Sequence, residues 1–313
     1  MTATILNFER PLQDALFAVR AIVPDSAITA DLLGTERHSH AVQVTPQGLL
    51  LTVGYSIMEA SEVWLTNRRG QTAAAIVLAN DYDSGLALLR PTVPLGSFHL
   101  ETAGVAELNE GDTLQVLASE DRDAHPVTLA AIQEFAGRWE YLLEKALYTL
   151  PLFERWSGAA LLTADGRLCG IGSLALGICA PGKQDMEAGN LFVPVDLVMP
   201  HLDYMTQHGQ RPGQLRPWLG ALVEDHDDTV CVVGIYHNAP AANAGLQPGD
   251  VILAVDRQPV STMAGFFRTL WHYGPAGTAV PLTVSNGKDT REVLLDTTDR
   301  ESFFLRHMAN MLN

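Results

Sequence analysis

Between residues 15 and 200 one form recurs: two apolar runs joined by a tight-turn signal. In "GAALLTADGRLCGIGSL" the turn is Asp165-Gly166, in "EVWLTNRRGQTAAAIVL" it is Arg69-Gly70, and in "AVQVTPQGLLLTVGY" it is Pro46 to Gly48. Asp-Gly between apolar runs is a strong hairpin signal, because such turns need residues that tolerate positive φ. Many short strands with few long helices restrict this region, from Ala15 to Pro200, to the barrel or sandwich class. "EYLLEKALYTL" (140–150) is the one interior run with helical spacing, and it reads equally well as the start of a strand.

The chain has 313 residues, enough for two domains. Apolar residues make up 47% and charged residues 18%, so a large core is available and disorder is not expected. A formal charge of −16 disfavours nucleic acid or an anionic membrane as the main partner, since either would repel it. The first 23 residues carry Glu9, Arg10 and Asp14 before any long apolar run, the pattern of neither a signal peptide nor an anchor. No later stretch reaches the ~18 apolar residues of a membrane span. Cys169, Cys179 and Cys231 are odd in number and lack metal-ligand spacing. The setting expected is a reducing cytoplasm, without membrane insertion, cofactor or bound metal. The acidic run "EDHDD" (224–228) could attract a cation but reads first as a solvated loop.

After "NLFVPVDLVMPHLDYM", a strand followed by a helix, "TQHGQRPGQLRP" has the Gly, Gln and Pro content of a linker. The expected division is a β domain at 1–205, a linker at 206–215, a second domain at 216–298 and a helical tail at 299–313. The second domain carries "APAANAGLQPGDVILAVDRQPV" from Ala239 to Val260, where Gly245 and Gly249 suit turns at positive φ and "DVILAV" alternates as a strand does. Over its whole length it resembles a PDZ domain of the bacterial HtrA type. The resemblance implies an extended peptide added as a strand, with loop N–H groups holding its terminal carboxylate. That loop would be Trp218-Leu219-Gly220-Ala221, with Arg216 adding charge and Phe266 on the following helix lining the pocket. Trp218 also has a plainer reading, as packing on the domain interface. Met263, Phe267 and Leu270 share the helical spacing of Phe266 and read mainly as core. In the tail, Phe304, Met308, Met311 and Leu312 fall near one helical face, an apolar stripe that would dock on this chain or on another subunit.

With the PDZ element in place, the first domain resembles the trypsin-like double β-barrel that precedes it in HtrA (Deg) serine proteases. "TPQGLLLT", "GLALLRP", "WSGAALLTADGRLCGIGSL" and "NLFVPVDLVMPHLDYMTQHG" resemble, in order, the strand before the catalytic histidine, the segment that starts with the catalytic aspartate, the nucleophile segment, and the closing strand and helix. By this resemblance Ser157 matches the nucleophile, Tyr55 stands at the histidine position and Gly85 at the aspartate position. A phenol with a reference pKa near ~10 cannot take the serine proton near neutral pH as an imidazole does, and glycine cannot orient a base. Arg155 and Trp156 replace the small residues of the oxyanion turn, where a left-handed non-glycine would cost about 1–2 kcal/mol. Ser157 then also reads as a turn residue before a strand. His38 and His40, on one face if extended, offer a substitute base for Ser157.

The function expected from sequence is therefore that of an HtrA-like pseudoprotease, not an enzyme, acting as a peptide- or protein-binding scaffold, adaptor or regulatory subunit through its PDZ groove. The alternative is a serine hydrolase using Ser157 with His38 or His40 as base. By resemblance to the family, a homo-trimer is the oligomer expected.

Overall fold

The computed structural model describes residues 12–179 and 185–311, with side chains to His307. Contacts divide the chain into two units. The first comprises residues to Asp25, 29–133 and 145–212; the second comprises 26–28, 134–144 and the chain from Gly213.

The first unit is two closed antiparallel barrels. Strands β1 (Leu16–Ile22), β2 (Glu36–Gln43), β3 (Leu50–Val53), β4 (Glu62–Asn67), β5 (Thr72–Asp81) and β6 (Leu86–Pro91) close in the order β1-β2-β3-β6-β5-β4, with a four-residue helix α1 (Ala30–Leu33) between β1 and β2. Strands β7 (Thr113–Leu117), β8 (His125–Gly137), β9 (Tyr141–Leu150), β10 (Ala160–Leu162), β11 (Leu168–Cys179) and β12 (Met186–Pro194) close in the order β10-β11-β12-β9-β8-β7. The turn signals sit where the sequence places them: Gly70 and Gly166 take φ of 77 and 85, and the Gly48 amide closes a turn onto the Thr45 carbonyl. Alternating side chains fill the barrels, Phe17, Val19, Leu50, Leu65 and Leu89 in the first and Leu114, Val116, Leu129, Leu147 and Phe192 in the second. Closure leaves no unpaired edge.

The run 140–150 resolves as strand. Tyr141–Leu150 forms β9, which pairs with β12 through Asn190↔Thr149 and Phe192↔Leu147. Ladder hydrogen bonds to a segment about forty residues away override its helical spacing. Helix α2 (Leu202–His208) follows β12 and ends at Gly209, whose φ of 81 gives it a left-handed cap. The expected linker at 206–215 therefore begins inside α2, because the helix runs on to its glycine cap.

The second unit is a sheet in the order β13-β14-β15-β17-β18, built from β13 (Ala221–His226), β14 (Thr229–Ile235), β15 (Val251–Val255), β17 (Ala279–Ser285) and β18 (Thr290–Asp296), with the short β16 (Gln258–Pro259) on β15. A four-residue helix α3 (Pro240–Asn243) and the longer α4 (Met263–Tyr273) accompany it; the Thr262 side chain accepts from the Gly265 amide and caps α4. Val223, Val232, Phe266, Phe267, Leu270, Val284 and Leu295 share one core. Trp218 and Thr298 form an antiparallel bridge that ties the start of the domain to its end. Helix α5 (Arg300–Met311) makes the tail helical. Phe303 and Phe304 pack their rings on Trp218, so this part of the tail docks within its own unit. The side chains of Met308 and Met311, and Leu312 altogether, lie outside the described residues. Among the described residues no helix is long and apolar enough to cross a membrane.

Candidate functional site

Two places bring the sequence candidates together, one in each unit. In the first unit, Tyr55 lies in a 3₁₀ turn, Gly54–Ser56, held from two sides. The Gly54 amide donates to the Gly85 carbonyl at 2.8 Å, and the Arg37 guanidinium donates to the carbonyls of Tyr55 (2.9 Å) and Met58 (3.0 Å). Gly85, at the expected aspartate position, thus contributes backbone rather than a carboxylate. Ser157 lies in the turn before β10. Its neighbour Gly158 has φ 75, and a Cβ there would fall 1.9 Å from the His40 carbonyl oxygen. Only glycine fits this approach, which also lets the His40 amide donate to the Ser157 carbonyl at 2.8 Å.

The Tyr55 hydroxyl lies 3.0 Å from Ser157 Oγ and 2.9 Å from the Ser173 carbonyl. The phenol has one proton, and the carbonyl can only accept. The arrangement that satisfies all three groups has Tyr55 donating to Ser173 and Ser157 donating to the phenol oxygen. Burial pushes the Tyr55 pKa up, which keeps the phenol neutral.

Both candidate histidines share a cavity of about 290 Å³ with Ser157, Arg155 and Trp156. Neither imidazole pairs with the Ser157 hydroxyl. The His38 ring is exposed and lies 3.4 Å from Glu36. His40 is buried, and its Nδ1 accepts from the Ser119 amide (3.4 Å) beside the Ser119 hydroxyl (2.9 Å). That amide can only donate, so Nδ1 is bare and the ring proton sits on Nε2. Burial lowers the His40 pKa to about 4, leaving it a weak base. Arg155 is not among the residues with positive φ, so the turn lacks the left-handed shape of an oxyanion turn at this position. Its guanidinium pairs with Asp121, which also accepts from the Ala118 amide at 2.9 Å. The Gly158 amide is committed to the Gly172 carbonyl at 2.8 Å.

In the second unit, the expected carboxylate loop holds a carboxylate, and it is the chain's own. The amides of Leu219 (3.0 Å to Oε2), Gly220 (2.8 Å to Oε1) and Ala221 (3.2 Å to Oε1) all donate to Glu140, at the tip joining β8 and β9. Gly220 takes φ 72, which turns its amide inward, and a Cβ there would lie 2.3 Å from that of Ala239. Glu140 is buried, and desolvation raises its pKa to about 7 against the opposing pull of the three amides and Arg300. Trp218 packs within its own unit, with ring centroids 4.8 Å from Phe303 and 5.6 Å from Tyr236. Arg216 lays its guanidinium over the Trp271 ring at 4.1 Å, and Phe266 is fully buried in the core. Sequence reasoning missed Glu140, which it had placed only in an ambiguous helix-or-strand run, and it missed Arg300. Among the described residues no group of three or more His, Cys, Asp or Glu side chains is placed to hold a metal.

A PDZ-domain family profile matches residues 217–297. The chain is 24% identical over 269 residues to the serine endoprotease DegS of Haemophilus influenzae, covering 81% of this chain and 76% of that one. It is 22% identical over 273 residues to DegS of Escherichia coli K12, covering 82% and 74%. A solved serine endoprotease from Yersinia pestis superposes with a TM-score of 0.55 at 19% identity, covering 93% of this chain and 96% of that one. The HtrA-type protease AlgW with a decapeptide does so with 0.55 at 20%, covering 93% and 97%. These names correct the expectation that the chain is not an enzyme: the relatives it matches are named as serine endoproteases. The chain has the HtrA-type protease fold, a trypsin-like pair of barrels followed by a PDZ domain.

Proposed function

We propose that the chain binds segments of other proteins through its PDZ domain, in an HtrA-type architecture whose barrels present Ser157 beside a cavity. The observation that carries this reading is the convergence of three adjacent amides, Leu219 to Ala221, on a single carboxylate. Such a cluster selects an anion, and a peptide's terminal carboxylate is the anion an extended ligand brings. The edge of β13 and the apolar face of α4 supply the rest of a peptide groove. A free-acid peptide with an apolar last residue is expected to shift the amide resonances of Leu219 to Val223 in the full chain, and its amidated twin to shift them less. No shift at any peptide concentration, in the wild type and in a chain lacking the Glu140 carboxylate, contradicts the reading.

A second reading, hydrolysis of a protein substrate at Ser157, is favoured by the names of the relatives and by the serine lining the 290 Å³ cavity. The serine proton has to leave through an imidazole brought within reach, because the neutral Tyr55 phenol already donates to the Ser173 carbonyl and cannot take up a second proton. Slow fluorophosphonate labelling that disappears in Ser157→Ala supports this reading. A folded wild type that stays unlabelled under large probe excess contradicts it.

A further inference from the structure

In the sheet order β13-β14-β15-β17-β18, β13 is an edge strand, and an edge with bare N–H and C=O groups is where a PDZ domain adds its ligand. Here the tip joining β8 and β9 covers that edge. The Val223 amide donates to the Arg138 carbonyl at 2.9 Å, and two residues earlier along the edge the Ala221 amide meets the Glu140 carboxylate. Residue 138 therefore faces 223 while 140 faces 219–221, so the tip runs antiparallel to β13 with its carboxylate at the loop. This is the polarity of a peptide ending in that loop. The side chains agree. Arg138 pairs with Glu224 on β13 at 2.7 Å, Glu134 pairs with Arg268 on α4, and Leu142 joins the apolar cluster of Leu219, Phe266 and Leu270. A peptide could end at the loop, but the chain must go on: Glu140 takes φ 59 and turns it into β9. A left-handed glutamate is uncommon and needs its surroundings to hold it.

We propose that residues 136–142 are a built-in ligand of the PDZ groove, with the Glu140 side chain in place of a terminal carboxylate, so that free C termini enter only when this tip withdraws. The inference rests on the reading of the groove as a peptide site and adds what regulates it. Tethering makes the resident ligand effectively concentrated, so an incoming peptide competes against an intramolecular partner.

The test compares the full-length wild type with Glu140→Gly and Glu140→Gln. Glycine removes the carboxylate and accepts the left-handed backbone without strain, so the fold is least disturbed; glutamine removes only the charge. The probes are fluorescein-labelled decapeptides with a free apolar C terminus and their amidated twins. The expected result is at least about tenfold tighter binding of the free acid by Glu140→Gly than by wild type, with a smaller gain in Glu140→Gln. Equal binding by wild type and Glu140→Gly overturns the resident-ligand proposal but leaves the groove a peptide site. Binding by neither overturns both. Hydrogen exchange on the wild type alone gives an independent check: amides 219–221 and 223 are expected to be protected, and exchange at the rate of an open loop contradicts the proposal.

Discussion

The serine site of the barrels and the anion loop of the PDZ domain have each received an unexpected partner, by opposite routes. At the serine site the partner is written into the aligned position: Tyr55 stands where an imidazole would, and its hydroxyl joins Ser157 to the Ser173 carbonyl. At the loop the binding residues are kept intact, and their partner, Glu140, comes from 80 residues upstream of Gly220. The first replacement ties two part-buried groups together through one hydroxyl. The second places a distant carboxylate on three backbone amides.

The largest expected effect sets the rigidity of the two loops side by side. Gly158→Ala places a Cβ 1.9 Å from a backbone oxygen at φ 75, which no side-chain motion relieves. A loss of about 3 kcal/mol or more is expected, read by denaturant unfolding. Gly220→Ala, at φ 72, meets the Cβ of Ala239 at 2.3 Å and the Trp218 ring at 2.9 Å, side-chain rather than backbone atoms, so about 2 kcal/mol is expected. Equal effects would break the contrast between a turn packed against backbone and a loop packed against side chains.

Next comes removal of each unexpected partner. Tyr55→Phe leaves the Ser173 carbonyl and the Ser157 hydroxyl without their phenol, at a cost of about 1–3 kcal/mol. Glu140→Gln keeps an acceptor for the loop and removes a buried charge, so its effect is expected within about 1 kcal/mol of zero. If Glu140→Gln costs as much as Tyr55→Phe, the glutamate is structural and the difference between the two regions disappears.

The smallest effect is a pair of opposed pH dependences. His40 has its folded pKa lowered to about 4 from 6.5, so its contribution is present above 6.5 and is lost as pH falls from there toward 4. Glu140 has its folded pKa raised to about 7 from 4.5, so the docked state holds a proton that the free tip releases. Docking is strongest in acid, weakens as pH rises from about 4.5 to 7, and then levels. The charged group acting on Glu140 is Arg300 on α5, which opposes the shift; the pairs Arg138–Glu224 and Glu134–Arg268 are made by other residues of the same segment. Peptide affinity in the wild type is expected to rise from pH 5 to 7 and to be flat in Glu140→Gly. Residue-resolved exchange is expected to show the His40 strand loosening in acid, a slope absent from His40→Gln.

What could be read from sequence follows the range of the interactions. The hairpins at Gly70 and Gly166 are local, set by positive φ within a few residues, and they stand where the sequence puts them. The PDZ element was legible for the same reason. Tyr55 beside Ser157 followed once both barrels were recognised. His40 was legible as a neighbour of Ser157 but not as the acceptor of the Ser119 amide, a contact 79 residues apart. Glu140 left almost no local trace. Its run, "EYLLEKALYTL", is a strand because of β12 and its glutamate is an anion ligand because of the loop at 219–221, both distant in the chain.

The central claim is that one side chain, Glu140, holds three consecutive amides of the PDZ loop. Nitrogen-correlated proton spectra of the full chain, recorded from pH 5 to 9, test this most directly, because an amide proton bonded to a carboxylate shifts as that carboxylate ionises. The amides of Leu219, Gly220 and Ala221 are expected to titrate together with one midpoint well above that of a free glutamate, near 7, and to stop titrating in Glu140→Gln. Separate midpoints, or a common titration that survives in Glu140→Gln, would contradict the claim.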